Sequence, residues 1–254
     1  MQQTTSVRPL LMLLPGMGGI GKSFGAFSQA MRPTLDTCVV TYPVDEALDY
    51  GELETRVRGV LPKHRPFFLL AESFSGPVAA RIAADPPQAL LGIIFCASFV
   101  KNPYPWLGWA APFAGLFPFK SLPRWVRAPL MWGSGSPRHA PPRAERATSA
   151  VDAAVLRHRI ATLLAVDETV AMARIRTPAL IMCARGDRVL PRAAALYMKQ
   201  TLPHARYMEL DGPHLVLQTR PAICATIVAE FMKDCVRLEE TTCQTALTSQ
   251  SVSN

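Results

Sequence analysis

Ser73, Asp187 and His214 have the residue types, and the order along a 254-residue chain, that nucleophilic attack on a carbonyl needs. Ser73 follows the apolar run 67–71 and is itself followed by Phe74-Ser75-Gly76, so a strand-compatible stretch gives way to a serine with small residues two positions away on each side. This describes a nucleophile elbow, a sharp strand-to-helix turn that strains the serine, exposes its hydroxyl and tolerates only small neighbours. The usual form is G-x-S-x-G, and Ala71 and Ser75 occupy the two glycine positions. Alone, the pattern also describes a buried serine that opens a helix. The rest of the chain decides.

A serine hydroxyl becomes a good nucleophile when a base accepts its proton and an acid orients that base. Residues 179–184 read as a buried parallel strand and run directly into Arg185-Gly186-Asp187, so Asp187 lies just past the strand's C-terminal end. Residues 205–210 read as the next strand and end in Asp211-Gly212-Pro213-His214. The three residues then share one edge of one sheet, where ligands bind in open α/β folds. His64, His139, His158 and His204 sit respectively in a basic turn, a Pro/Arg-rich stretch, an Arg-flanked helix and a position before a strand; only His214 follows a strand. Asp187 can also be read as a turn residue, but no Asp or Glu follows the preceding apolar strand until Glu145, so no rival acid stands there.

Positioning these residues requires alternating strands and helices. Strands are expected at 9–14, 38–42, 67–71, 92–97, 179–184 and 205–210, with helices near 24–31, 51–60, 75–84, 190–200 and 221–236. That alternation predicts a mostly parallel, doubly wound sheet with helices on both faces. Residues 99–174 interrupt it, with nine prolines between 100 and 142, and read as a cap inserted into a core made of 1–98 and 175–238; a helix is expected from about 150 to 174. The polar stretch 239–254 reads as a disordered tail.

Over most of its length the chain resembles the α/β-hydrolase superfamily. The matching residues are the Pro15-Gly16-Met17-Gly18-Gly19 loop, the Glu72-Ser73-Phe74-Ser75-Gly76 elbow, Gly186-Asp187 with Pro191, and Gly212-Pro213-His214. The resemblance implies Ser73 as nucleophile, His214 as general base and Asp187 as the group fixing its tautomer. It also implies an oxyanion hole from the backbone N–H groups of Met17 and Phe74. Two departures stand out: Pro15 replaces the histidine usual before that glycine, and Pro213 replaces a small residue before the histidine.

A competing pattern overlaps the first loop. Residues 16–23 fit G-x-x-x-x-G-K-[ST], which in a nucleotide-binding protein would cradle phosphates, with Lys22 and Ser23 reaching phosphate and magnesium. Such a protein also needs a metal-holding aspartate at the end of a second apolar strand, and here those strands end in Glu72 and Ser98. The hydrolase loop explains the same glycines, because backbone must approach a reacting oxyanion closely.

Specificity is expected in the cap. It holds all four tryptophans, Trp106, Trp109, Trp125 and Trp132, as candidate walls for an apolar acyl group. Residues 100–176 carry 11 Lys and Arg against 4 Asp and Glu, and so most of the chain's formal charge of +8. Such a face is either a solvated basic surface or a docking site for an acidic acyl carrier protein or an anionic lipid surface; no nucleic-acid motif accompanies it. Six cysteines without C-x-x-C spacing read as reduced packing residues. With no membrane-length apolar run and no secretory pattern, a cytoplasmic location is expected. The resulting expectation is a cofactor-free, metal-free serine hydrolase of small-molecule carboxylic esters with apolar acyl groups. Alternatives are cleavage of carrier-bound acyl chains, acyl transfer to an alcohol by the same residues, and nucleotide binding.

Overall fold

In the computed structural model, residues 8–116, 129, 131–133 and 151–252 are described. Six strands form one sheet in the order β2-β1-β3-β4-β5-β6, with β1 Leu10–Leu14, β2 Asp36–Val39, β3 Phe67–Glu72, β4 Leu90–Cys96, β5 Ala179–Ala184 and β6 Arg206–Leu210. Every pairing is parallel. The chain starts at β1, moves outward to β2, then returns to the other side of β1 and proceeds outward through β6. The direction of winding therefore switches between β1 and β3, the place at which open α/β sheets hold their ligands.

Helices cover both faces because strand residues alternate between them. Phe67, Leu69 and Ala71 point to one side, with helices α2 (Tyr50–Arg58), α3 (Gly76–Ala84), α5 (Thr169–Arg174) and α6 (Arg192–Thr201). Phe68 and Leu70 point to the other, with α1 (Gly25–Met31), α7 (Val216–Thr219) and α8 (Pro221–Val252). All residues of β3 and β4 are buried, which is why both read as continuous apolar runs rather than as alternating ones. Arg81 of α3 fastens three helices on one face: its guanidinium donates to Glu54 of α2 at 2.6 Å and to Glu168, which precedes α5, at 2.9 Å.

Two elements differ from the sequence expectation. The strand expected at 38–42 is Asp36–Val39; beyond it the backbone turns toward the first loop, where Tyr42 N–H donates to the Gly19 carbonyl at 2.8 Å. The helix expected to end near 236 runs to Val252, so residues 239–252 continue a helix instead of forming a disordered tail. No glycine or proline occurs after Pro221 to stop it.

Within the expected cap, the described residues hold a 3₁₀ helix at Pro105–Leu116, then α4 (Ala153–Ala165) and α5. The single helix expected from about 150 to 174 is thus two helices. They part at residues 166–168, where Asp167 bridges to Lys101 and Glu168 N–H donates to the Val100 carbonyl. Among the described residues no helix is long and apolar enough to cross a membrane.

Candidate active site

Ser73 is one of two non-glycine residues with positive φ among those described, at 51°. A side chain in this region is strained, and such strain persists only where the surroundings enforce it. Two contacts do so. The Ser98 hydroxyl donates to the Ser73 carbonyl at 2.6 Å, and α3 begins so close to the loop after β4 that a Cβ on Gly76 would lie 2.2 Å from the Phe99 carbonyl oxygen. Gly76 is therefore the position of this elbow that must lack a side chain, and Ala71 and Ser75 are tolerated two residues to either side of Ser73.

Asp187 and His214 sit on neighbouring loops locked backbone to backbone. Arg185 N–H donates to the Leu210 carbonyl at 2.8 Å and Gly186 N–H to the Gly212 carbonyl at 2.9 Å. A Cβ on Gly186 would come within 2.8 Å of the same Gly212 oxygen, so only glycine allows this approach. One carboxylate oxygen of Asp187 accepts from the N–H groups of Val189 and Leu190 at 2.7 and 2.8 Å. The other lies 2.7 Å from His214 Nδ1, and His214 Nε2 lies 3.0 Å from Ser73 Oγ. In the tautomer that makes both bonds, Nδ1–H donates to Asp187 and Ser73 Oγ–H donates to Nε2. The imidazole is 2% exposed, which shields this chain of hydrogen bonds from competing water.

The first loop is shaped by side chains. The Ser75 hydroxyl donates to the Pro15 carbonyl and is also bonded to the Tyr42 hydroxyl at 2.6 Å. The buried Glu72 carboxyl lies beside Gly16, its oxygen 3.8 Å from where a Cβ of that glycine would be, and accepts from the Gln218 amide at 2.7 Å. Burial pushes the Glu72 carboxyl above the usual glutamate range, against the opposing pull of Gln218, His214 and Gly16. The Gly16 carbonyl accepts from Gly19 N–H at 2.9 Å, and the Met17 carbonyl accepts from Arg159 of α4 at 2.7 Å. Phe74 is fully buried beside the nucleophile position, its ring 4.9 Å from that of Tyr50. A Cβ on Gly16 would lie 3.6 Å from Ser73 Cβ, so the first loop and the elbow are in near contact.

These bonds also bear on the phosphate-loop pattern. The Glu72 carboxyl lies beside Gly16, where a carboxylate would repel a phosphate, and Lys22 is exposed on a short 3₁₀ turn, Gly21–Phe24. Gly21 is dictated by packing, since a Cβ there would lie 1.8 Å from Val39 Cγ1.

The cap residues fare differently. Trp106 and Trp109 are 65% and 72% exposed, with Trp106 edge-on to Tyr104 and Trp109 tilted against Phe113. Trp132 is partly buried on a segment that packs against the His214 loop: Leu215 N–H donates to the Met131 carbonyl at 3.2 Å, and Gly133 lies against Pro213. Trp125 lies outside the described residues. Sequence reasoning missed Glu72, Ser75, Tyr42 and Arg159. An acid next to Ser73 and a polar residue in place of a glycine are signals visible in the chain for the first two; Arg159 offers none beyond its place in a basic helix.

Comparison with known proteins agrees with this architecture. Residues 2–227 match the model of the alpha/beta hydrolase family. The structure resembles an enol-lactonase from Burkholderia xenovorans LB400, at 16% identity with a TM-score of 0.72, covering 89% of this chain and 91% of the other. It resembles equally a hydrolase from Pseudomonas aeruginosa PA01, at 19% identity and TM-score 0.72 over 89% and 90% of the two chains. A thermophilic esterase from Thermogutta terrifontis aligns at 15% identity and TM-score 0.71 over 91% and 92%. Among curated protein sequences no match was found.

Proposed function

The chain belongs to the α/β hydrolase family, and on that premise we propose that it is a serine-dependent hydrolase of carboxylic esters with apolar acyl groups. The observation that carries this reading is the unbroken line from Asp187 through His214 to Ser73, at 2.7 and 3.0 Å. His214 Nε2 takes the proton of Ser73 Oγ as the oxygen attacks the ester carbonyl. Asp187 holds the imidazole in the receiving tautomer and stabilises the imidazolium that forms. The Met17 and Phe74 N–H groups bind the oxyanion of the tetrahedral intermediate. His214 then gives its proton to the departing alkoxide, which leaves an ester on Ser73, and a water deprotonated by His214 releases the acid. The esterase and lactonase neighbours support an oxygen-ester substrate, since both act on that bond.

The test is turnover of p-nitrophenyl esters of increasing chain length by wild type and Ser73→Ala. The variant should lose about 10⁵- to 10⁶-fold in kcat while keeping its melting temperature. Full activity in Ser73→Ala would overturn the assignment. Parallel assays with acyl thioesters, and with a primary alcohol added as acceptor, separate ester hydrolysis from thioester cleavage and acyl transfer.

A further inference from the structure

Arg159 is 1% exposed, among the most buried large side chains of the protein, yet its described hydrogen bonds go to carbonyl oxygens and not to a carboxylate. One guanidinium nitrogen donates to the Met17 carbonyl at 2.7 Å and the other to the Pro43 carbonyl at 2.6 Å. The cation also lies 5.9 Å from the centre of the Tyr42 ring. Burying a cation with neutral partners is costly, and burial pushes the Arg159 pKa down. Packing alone offers cheaper solutions at such a position. The surroundings are nevertheless shaped to admit it: Gly19 has φ 67°, and a Cβ there would fall 2.9 Å from a guanidinium nitrogen.

The bonds described above anchor three consecutive peptide planes of the first loop. The Pro15–Gly16 plane is held through its oxygen by Ser75, with the Glu72 carboxyl beside Gly16. The Gly16–Met17 plane is held through its oxygen by Gly19 N–H. A trans peptide directs its N–H opposite to its carbonyl, so this bond aims the Met17 N–H. The next plane is held through its oxygen by Arg159 alone among the described side-chain bonds. Of these anchors, only Arg159 comes from the segment inserted between β4 and β5.

We propose that Arg159 is a positioning residue: reaching from α4 to the Met17 and Pro43 carbonyls, it fixes the first loop with the Met17 N–H aimed at the oxyanion, and so makes the reactivity of Ser73 depend on the docking of α4. This rests on the serine hydrolase reading above. A misaligned donor weakens binding of the transition state and leaves the ground state nearly untouched, so the effect falls on kcat and not on KM.

The experiment follows the time course of fluorophosphonate labelling, together with ester kinetics, for wild type, Arg159→Met, Arg159→Lys and Arg159→Ala. The labelling endpoint counts folded sites, and its rate reads stabilisation of the anionic transition state. Arg159→Met should reach the wild-type endpoint at a rate on the order of ten- to a hundredfold lower, with kcat reduced in parallel and KM unchanged. Arg159→Lys keeps the charge but cannot span both carbonyls, and should fall between. Low-millimolar guanidinium should restore kcat in Arg159→Ala. Wild-type rates in Arg159→Met, or in Arg159→Lys should the Met variant not fold, would overturn the proposal. So would losses of rate and endpoint in the same proportion, which mark a purely structural role. A wild type that folds but does not label on Ser73 removes the serine reading itself, and this proposal with it.

Discussion

Two sets of loops meet at Ser73 and are held in opposite ways. The loops carrying Asp187 and His214 are joined to each other by backbone hydrogen bonds, from Arg185 to Leu210 and from Gly186 to Gly212. The first loop is tied by the buried polar side chains of Ser75 and Arg159, with the Glu72 carboxyl beside Gly16. Backbone pairing survives most side-chain changes, whereas a loop tied by side chains can be loosened one residue at a time. On one side of Ser73, mutation should therefore act through the chemistry of Asp187 and His214. On the other it should act through geometry, with smaller and graded effects.

The largest effect expected beyond loss of the nucleophile is that of Asp187→Asn. The amide leaves the loop intact but favours the wrong imidazole tautomer, so kcat should fall about 10³- to 10⁴-fold with little change in melting temperature. A loss below tenfold would remove Asp187 from the proton path.

Ser75→Ala tests the other side. It deletes the bond to the buried Pro15 carbonyl and strands the Tyr42 hydroxyl, which should cost about 1–3 kcal/mol of stability and roughly tenfold in kcat through the loosened loop. As its counterpart, Arg185→Ala removes exposed ion pairs to Asp211 and Glu209 while leaving the backbone ties in place. Stability and kcat should both stay near wild type. Equal losses in the two variants would erase the contrast between the loops.

Glu72→Gln sharpens it further through pH. Because burial raises the Glu72 carboxyl, the unfolded chain releases this proton at lower pH than the folded one. Stability then falls as pH rises from the ordinary glutamate value of about 4.3 through the raised folded value. The glutamine variant lacks that fall, so its stability relative to wild type should increase across the window, read by denaturant titrations at a series of pH values. A pH-independent difference would mean that Glu72 titrates alike in both states.

How much of this is visible in the chain itself follows from the same contrast. The sheet and the three central residues depend on local signals: apolar runs that become buried strands, and chemistry-bearing residues placed just past their ends. Asp187 and His214 could be singled out because each follows such a run. The anchors of the first loop depend on tertiary proximity. Arg159 contacts Met17 across 142 positions of sequence, and nothing in its sequence neighbourhood separates it from the half-buried Arg157. The elbow is intermediate: its serine is visible, but the need for a bare Cα falls on Gly76, because the constraint comes from the Phe99 carbonyl on another strand's loop. The full length of α8 follows from the absence of glycine and proline after Pro221, a signal that the polarity of residues 239–252 masks.

The most direct measurement is fluorophosphonate labelling of the purified protein with the adduct located by mass spectrometry, in wild type and His214→Ala. An activated serine predicts a stoichiometric adduct on Ser73 in wild type and almost none in His214→Ala over the same time. A folded wild-type protein that stays unlabelled, carries the adduct on another residue, or labels equally well without His214 would contradict the account.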